Sequence, residues 1–180
     1  MSADIQTFLA NFAGGGARPN RYEVILTFPT GVPNAIAAST KAGFTCKATS
    51  IPGSNMGVID LPYKGRQAKV PGDKVFDDWN VTIMIDNDFA TRDVFEVWHN
   101  LILGFETNVA NENMVNPANC FARAEVRQLD RADRVIKTYF VESIFPSQVS
   151  EIQLAWDAND QVMEQNVSFA INGWKSNAIA

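Results

Sequence analysis

Apolar residues recur along this chain with two different periods, and the changes between them mark the elements. Ile5, Phe8, Leu9 and Phe12 repeat at helical spacing and stop at Gly14-Gly15-Gly16, which predicts a short N-terminal helix on a glycine hinge over residues 1–16. Tyr22, Val24, Leu26 and Phe28 then alternate with polar or exposed positions up to Pro29, the pattern of a half-buried strand, with Phe44 to Ser50 read as its hairpin partner across the loop around Pro33. Trp79, Val81, Ile83 and Ile85 alternate in the same way. The period changes at Val94, Phe95, Trp98, Leu101 and Ile102, the apolar stripe of an amphipathic helix, with Asp88 or Thr91 as N-cap candidates and Gly104 as the stop.

Beyond an Asn-rich loop, Cys120 to Leu129 and Val135 to Phe145 read as two strands joined by Asp130-Arg131-Ala132-Asp133-Arg134, with Pro146 closing the second. Gln148 to Trp156 and Gln161 to Trp174 read as a further hairpin around Asp157-Ala158-Asn159-Asp160. Roughly seven or eight strands with one main helix predict a mainly β fold, an antiparallel β-sandwich or barrel in a single domain spanning 1–180. Between the strand patterns, residues 52–73 carry three turn signals, Ile51-Pro52-Gly53, Lys64-Gly65-Arg66 and Pro71-Gly72-Asp73, and no reaction chemistry. They predict a projecting arm of the kind an assembly-building protein carries.

Composition narrows the function classes. A chain of 180 residues with 46% hydrophobic and 19% charged residues fits a globular domain with a sizeable core. Its apolar runs, such as Val24-Ile25-Leu26, are far shorter than the roughly 20 residues of a membrane helix, and Met1-Ser2-Ala3-Asp4 shows no secretory signal. A net charge of −5 argues against a phosphate-gripping protein. Cys46 and Cys120 each lack a neighbouring Cys or His at metal-ligand spacing, so reduced thiols are expected and neither a metal nor a cofactor is.

Catalytic constellations are missing. His99 is the single histidine and no G-x-S-x-G motif accompanies it. Asp77 and Asp78 are adjacent on a strand edge, where neighbouring side chains point to opposite faces and cannot flank one glycosidic bond. Arg123, Arg127, Arg131, Arg134 and Lys137 are interleaved with Glu125, Asp130 and Asp133, which favours ion pairing within the hairpin or to a neighbouring subunit over a nucleic-acid patch. In this strand Arg123, Glu125 and Arg127 share one face and Cys120, Ala122, Ala124 and Val126 the other, a pattern that suits either a channel-lining sheet or a solvated monomer surface.

A set of motifs in fixed order resembles the tail tube proteins of contractile-tailed bacteriophages of the T-even type. It runs from Ala17-Arg18-Pro19-Asn20 through Phe44-Thr45-Cys46-Lys47-Ala48-Thr49, Gly65-Arg66, Val70-Pro71-Gly72-Asp73 and Phe76-Asp77-Asp78-Trp79-Asn80-Val81-Thr82. It continues with Arg92, Phe95 and Trp98, then Phe145-Pro146-Ser147-Gln148-Val149 and Leu154-Ala155-Trp156-Asp157. The resemblance implies a subunit that stacks as homohexameric rings, in which hairpins of each copy join a continuous β-barrel around a lumen. It implies a non-enzymatic virion protein of the inner tail tube, assembled in the host bacterial cytoplasm, whose partners are the sheath, the baseplate and tube initiator, the tape measure protein and the tail terminator. It further implies that DNA passes through the lumen without specific binding. The candidate subunit-interface residues are Arg66, Asp73, Asp78, Trp79, Arg92 and Trp98, with Trp79 and Trp98 reading equally well as core. The loops Gly31 to Ala42 and Asn108 to Asn119 are longer than the resemblance leads one to expect, and are read as decoration. The runner-up functions are the tube of a type VI secretion or other phage-derived injection system, a tube-initiating baseplate protein of the same fold, a β-sandwich glycosidase, and a monomeric ligand-binding sandwich.

Overall fold

The computed structural model describes residues 4–12 and 16–178, so Gly14 and Gly15 of the predicted hinge lie outside the described residues. Helix α1 spans Ile5–Asn11, with the Asp4 carboxylate accepting from the Gln6 amide at its start. The body is a six-stranded antiparallel sheet in the order β1-β6-β7-β8-β5-β2, and β3 and β4 form a separate two-stranded sheet. The strands are β1 (Tyr22–Thr27), β2 (Cys46–Thr49), β3 (Ser54–Tyr63), β4 (Arg66–Phe76), β5 (Trp79–Met84), β6 (Ala122–Leu129), β7 (Val135–Val149) and β8 (Glu164–Ser176).

The large sheet coils into a nearly closed barrel, and the strand alternation decides what fills it. Val24 and Leu26 of β1, Ala122, Ala124 and Val126 of β6, Val167 and Phe169 of β8, and Trp79, Val81 and Ile83 of β5 are all buried. Helix α3 (Ala90–Ile102) adds Val94, Phe95 and Trp98. Their rings meet around Phe169, at centroid distances of 5.4 Å to Trp79, 6.0 Å to Phe95 and 6.3 Å to Trp98, while Phe28 lies 5.4 Å from Phe95. The two indole N–H groups buried with them donate to Ser50 O at 2.9 Å and Cys120 O at 3.1 Å, so neither indole nitrogen is stranded.

Two sheet edges remain, at β1 and β2. Helix α2 (Ala35–Thr45) covers the first: Ser39 Oγ donates to Leu26 O, and Gly43 lies so close that a Cβ there would sit 3.0 Å from Val24 O. The Tyr22 hydroxyl spans the gap to β2 by donating to the Cys46 and Lys47 carbonyls. Helix α2 thus replaces the expected loop, and Phe44 to Ser50 is not the hairpin partner of β1. Antiparallel β2 pairs with β5, at the far edge of the sheet. The helix escapes a hydrophobic-periodicity reading because its buried positions are Ala38 and Ala42, small residues chosen for close approach.

Other boundaries also move. Pro146 does not end β7, because the strand carries a bulge between Pro146 and Gln148 that accommodates the missing N–H and continues to Val149. A second expected hairpin is absent: residues 150–163 form a loop in which Leu154 is 80% and Trp156 106% exposed, and β8 pairs instead with β7 and β5. The alternation of Ile152, Leu154 and Trp156 is real but finds no partner strand. Cys120 ends the short helix α4 (Pro117–Cys120) before β6 begins, and Phe89 is the residue that caps α3, with Asp88 accepting from the Ala90 amide at 3.1 Å. Helix α3 stops one residue before Gly104, at a cap formed by Leu103. The Asn-rich loop contributes to the packing, since Met114 in its 3-10 turn (Glu112–Met114) is buried in the core.

Three consequences can be measured by thermal or urea unfolding of the monomeric chain. Gly43→Val drives a side chain into the Val24 carbonyl, and a loss of about 1–3 kcal/mol is expected. Gln165 is 1% exposed with neither amide atom paired, so Gln165→Met raises stability by about 1–3 kcal/mol. The third concerns Lys41 of α2, whose Nζ lies 2.8 Å from Asp86 and 2.5 Å from Asp88. This ammonium, with the Asn87 and Ala90 amides, holds both carboxyls below their ordinary 3.8. A lowered folded pKa contributes stability above the unfolded value that disappears as pH falls through the folded one. Lys41→Met therefore destabilises the chain at neutral pH, and its deficit relative to the parent shrinks as the pH drops below 3.8.

Candidate assembly surfaces

Strands β3 and β4 form a hairpin that leaves the barrel. Lys64 and Gly65 both have positive φ, 43° and 80°, the two-residue turn whose twist matches the strands it joins. Register places Ile59 opposite Val70, Leu61 opposite Ala68 and Tyr63 opposite Arg66, so these residues share one face. The other face carries Asp60 opposite Lys69, with Pro62 opposite Gln67. All ten residues of β3 are exposed, and Val58, Ile59, Leu61 and Tyr63 keep 50–68% of their surface in solvent. A bulge lies between Met56 and Val58, where the Gly57 and Gly72 backbones approach so closely that a Cβ at Gly72 would meet Gly57 at 3.2 Å. A free two-stranded hairpin is marginal in water, and one with an apolar face is a surface awaiting cover.

The hairpin root is clamped. Trp174 Nε1 donates to Gly53 O at 2.9 Å, and the Asn55 amide donates to both Asp77 oxygens at 2.8 and 3.0 Å. Lys74 Nζ sits over the rings of Phe76, at 5.0 Å, and Trp174, at 5.6 Å. The arm therefore leaves the barrel from a fixed footing.

The six residues singled out from sequence do not gather in one place. Arg66 stands exposed at the arm tip and Asp73 is exposed at its bulge. Asp78 is exposed at the root, where Ser147 Oγ donates to it at 3.4 Å. Trp79 and Trp98 are fully buried and offer no surface to a neighbour; both belong to the core, because each indole fills the barrel around Phe169. Arg92 is turned inward to its own chain, with Nε 2.6 Å from Glu96 and Nη1 3.4 Å from Ser150 O. Sequence reasoning passed over the apolar arm face itself, although the alternation of Ile59, Leu61 and Tyr63 was there to read.

The outer face of the barrel sheet is charged and internally paired. Arg127 binds Glu125 at 2.7 Å and Glu23 at 3.2 Å, Lys175 binds Glu142 at 3.0 Å, and Lys47 binds Glu164 at 2.5 Å. At the β6–β7 turn Arg134 binds Asp130 at 2.8 Å and Arg21 reaches Asp133 at 2.6 Å. Of the five basic residues read from the sequence here, Arg127 and Arg134 are paired within the chain, whereas Arg123, Arg131 and Lys137 form no ion pair among the described residues. Burial pushes the Cys46 thiol up to about 11 and the Cys120 thiol in the same direction, so neither is a thiolate nucleophile at neutral pH, and both are free. His99 is exposed, and no cluster of metal-ligating side chains occurs among the described residues.

A family model described as phage tail tube protein matches residues 17–177. The chain is 30% identical to tail tube protein gp19 of Enterobacteria phage T4 over 164 residues, 91% of this chain and 93% of that protein. It is 28% identical to the tail tube protein of Serratia phage KSP90 over 147 residues, 82% of this chain and 81% of that one. Among solved structures, a chain of the anti-feeding prophage baseplate superposes with a TM-score of 0.65 at 11% identity, covering 89% of this chain and 95% of that chain. A chain of the sheath-tube complex of the extracellular contractile injection system PVC gives 0.58 at 13% identity, covering 97% and 98%. The fold is common to all of these, and the match over residues 17–177 makes this chain a member of the phage tail tube protein family, a structural component of the virion tail.

Proposed function

We propose that copies of this chain stack as hexameric rings into the inner tube of a contractile tail, which the sheath drives through the host envelope and through which DNA is ejected. The observation that carries this reading is the arm: a rigidly rooted hairpin with an apolar face that its own chain leaves uncovered. Docked on an adjacent copy, Ile59, Leu61 and Val70 lose the 40–51% of their surface still in solvent, roughly 1 kcal/mol each before the costs of association. Repeated around a ring, contacts of that size favour a tube.

The paired charges of the outer sheet face support its use as lumen wall. DNA gains affinity for a protein by exchanging counterions for free Lys and Arg, and here Arg127, Lys175 and Lys47 are already engaged with carboxylates, which leaves Arg123 as a free cation on this face among the described residues. A wall of this kind lets phosphate pass without gripping it. In this reading the sheath surrounds the tube, the baseplate initiates it, the tape measure occupies the lumen before DNA, and a terminator caps it, all assembled in the bacterial cytoplasm. The T4 relative and the phage family model favour a viral tube over a secretion tube.

Negative-stain electron microscopy of the recombinant chain tests this directly. Wild-type protein is expected to give hollow tubes or six-fold rings, and Ile59→Asp with Leu61→Asp is expected to leave far-UV circular dichroism unchanged while abolishing them. A variant that still polymerises normally would remove the arm from the assembly.

A further inference from the structure

Helix α1 carries a second uncovered apolar surface. Ile5, Phe8, Leu9 and Phe12 fall at i, i+3, i+4 and i+7 and are 68%, 60%, 56% and 51% exposed, with the Phe8 and Phe12 rings stacked at 5.5 Å. Its seven residues are well below the roughly 12–15 that a helix needs to persist alone in water, so this stripe calls for a surface to lie on.

The barrel offers a matching one at its seam. Where the edges of β1 and β2 approach without pairing, a groove of about 630 Å³ opens between β1 and α2, lined by Tyr22, Ile25, Phe44 and Leu129 over the small residues Ser39 and Gly43. Phe44 is 85% exposed there, and Glu23 is the single carboxylate in the lining. Two other grooves suit an apolar helix less well. That between α2 and α3 is bounded by the Lys41–Asp88 ion pair, and that under the Trp156 loop carries Glu151 and Glu164, which would face the acidic N-cap Asp4. Helix α2 already covers the β1 edge beside this groove, and a second helix laid there extends that cover.

We infer that α1 of one copy seats its Ile5-Phe8-Leu9-Phe12 stripe in the β1–α2 groove of another copy, closing that copy's barrel seam. The occupant is a second copy because the single chain leaves both the stripe and Phe44 in solvent, and because copies are neighbours at high local concentration in a tube. The inference rests on the self-assembly proposed above. It adds a contact distinct from the arm, made by a different element on a different face.

The test is a cysteine trap in a Cys46→Ala background, which leaves buried Cys120 as the only native thiol. One chain carries Leu9→Cys and the other Thr40→Cys, a groove residue; the two are mixed in equal amounts, polymerised and oxidised. The expected result is a disulfide-linked pair on a non-reducing gel that neither chain gives when polymerised alone. Tubes that form without this pair overturn the inference and leave the assembly reading standing. A chain carrying both cysteines that closes only on itself overturns the docking between copies. Wild-type chains that form no tubes overturn the assembly reading, and this inference with it. As an independent readout, Leu9→Asp and Phe44→Asp are expected to keep the parental melting temperature and lose most of the tube fraction in a pelleting assay, and normal pelleting by both would equally overturn it.

Discussion

A β-sheet that coils without closing has two edges, and every backbone N–H and C=O along them must find a partner or remain in water. Much of the architecture answers that constraint. Helix α2 lies against β1 with Ser39 donating to the edge carbonyl of Leu26, and the absence of a side chain at Gly43 lets the helix backbone approach Val24. The Tyr22 hydroxyl reaches across to β2, which is only four residues long and so exposes little edge of its own. With the edges held in this way, the inward residues of six strands enclose a single aromatic cluster around Phe169.

The same constraint is answered differently in the arm. Strands β3 and β4 pair with one another and with no other strand among the described residues, which leaves two outer edges and an apolar face in solvent. A monomeric protein would blunt such a hairpin with charge or cover it. Here the root is reinforced instead, by the Trp174 indole and by Lys74 held between two rings, so that the exposed part stays in a defined direction. Rigid presentation of an uncovered surface is what a subunit of a repeating tube requires, because ordering costs already met within the subunit need not be met again at each contact.

Charge follows a parallel logic. The net charge of −5 keeps the chain away from phosphate in general, yet the outer sheet face is not a uniform acidic field. Its cations are distributed so that Arg127 bridges two carboxylates and Lys175 and Lys47 hold one each.

How much of this was legible beforehand differs by element. Strands β1 and β5 and helix α3 follow from alternation and from the stripe of Val94, Phe95 and Trp98, because burial on one face imposes a period that large side chains make visible. Helix α2 escaped because its contacts are made by alanine and glycine, which leave no hydrophobic period. Residues 150–156 alternate like a strand without becoming one, since alternation records side-chain preference and pairing needs a partner edge. Trp79 and Trp98 illustrate the same limit at the candidate site: a tryptophan in a sequence serves equally as core or interface, and only the surrounding rings decide. The sequence by itself determined the strand parities, the turn chemistry of the arm and, through ordered motifs, the family. The tertiary structure decided which strands are neighbours, where the seam falls and which apolar residues stay outside, because those depend on contacts between segments far apart along the chain, and local pattern carries no record of them.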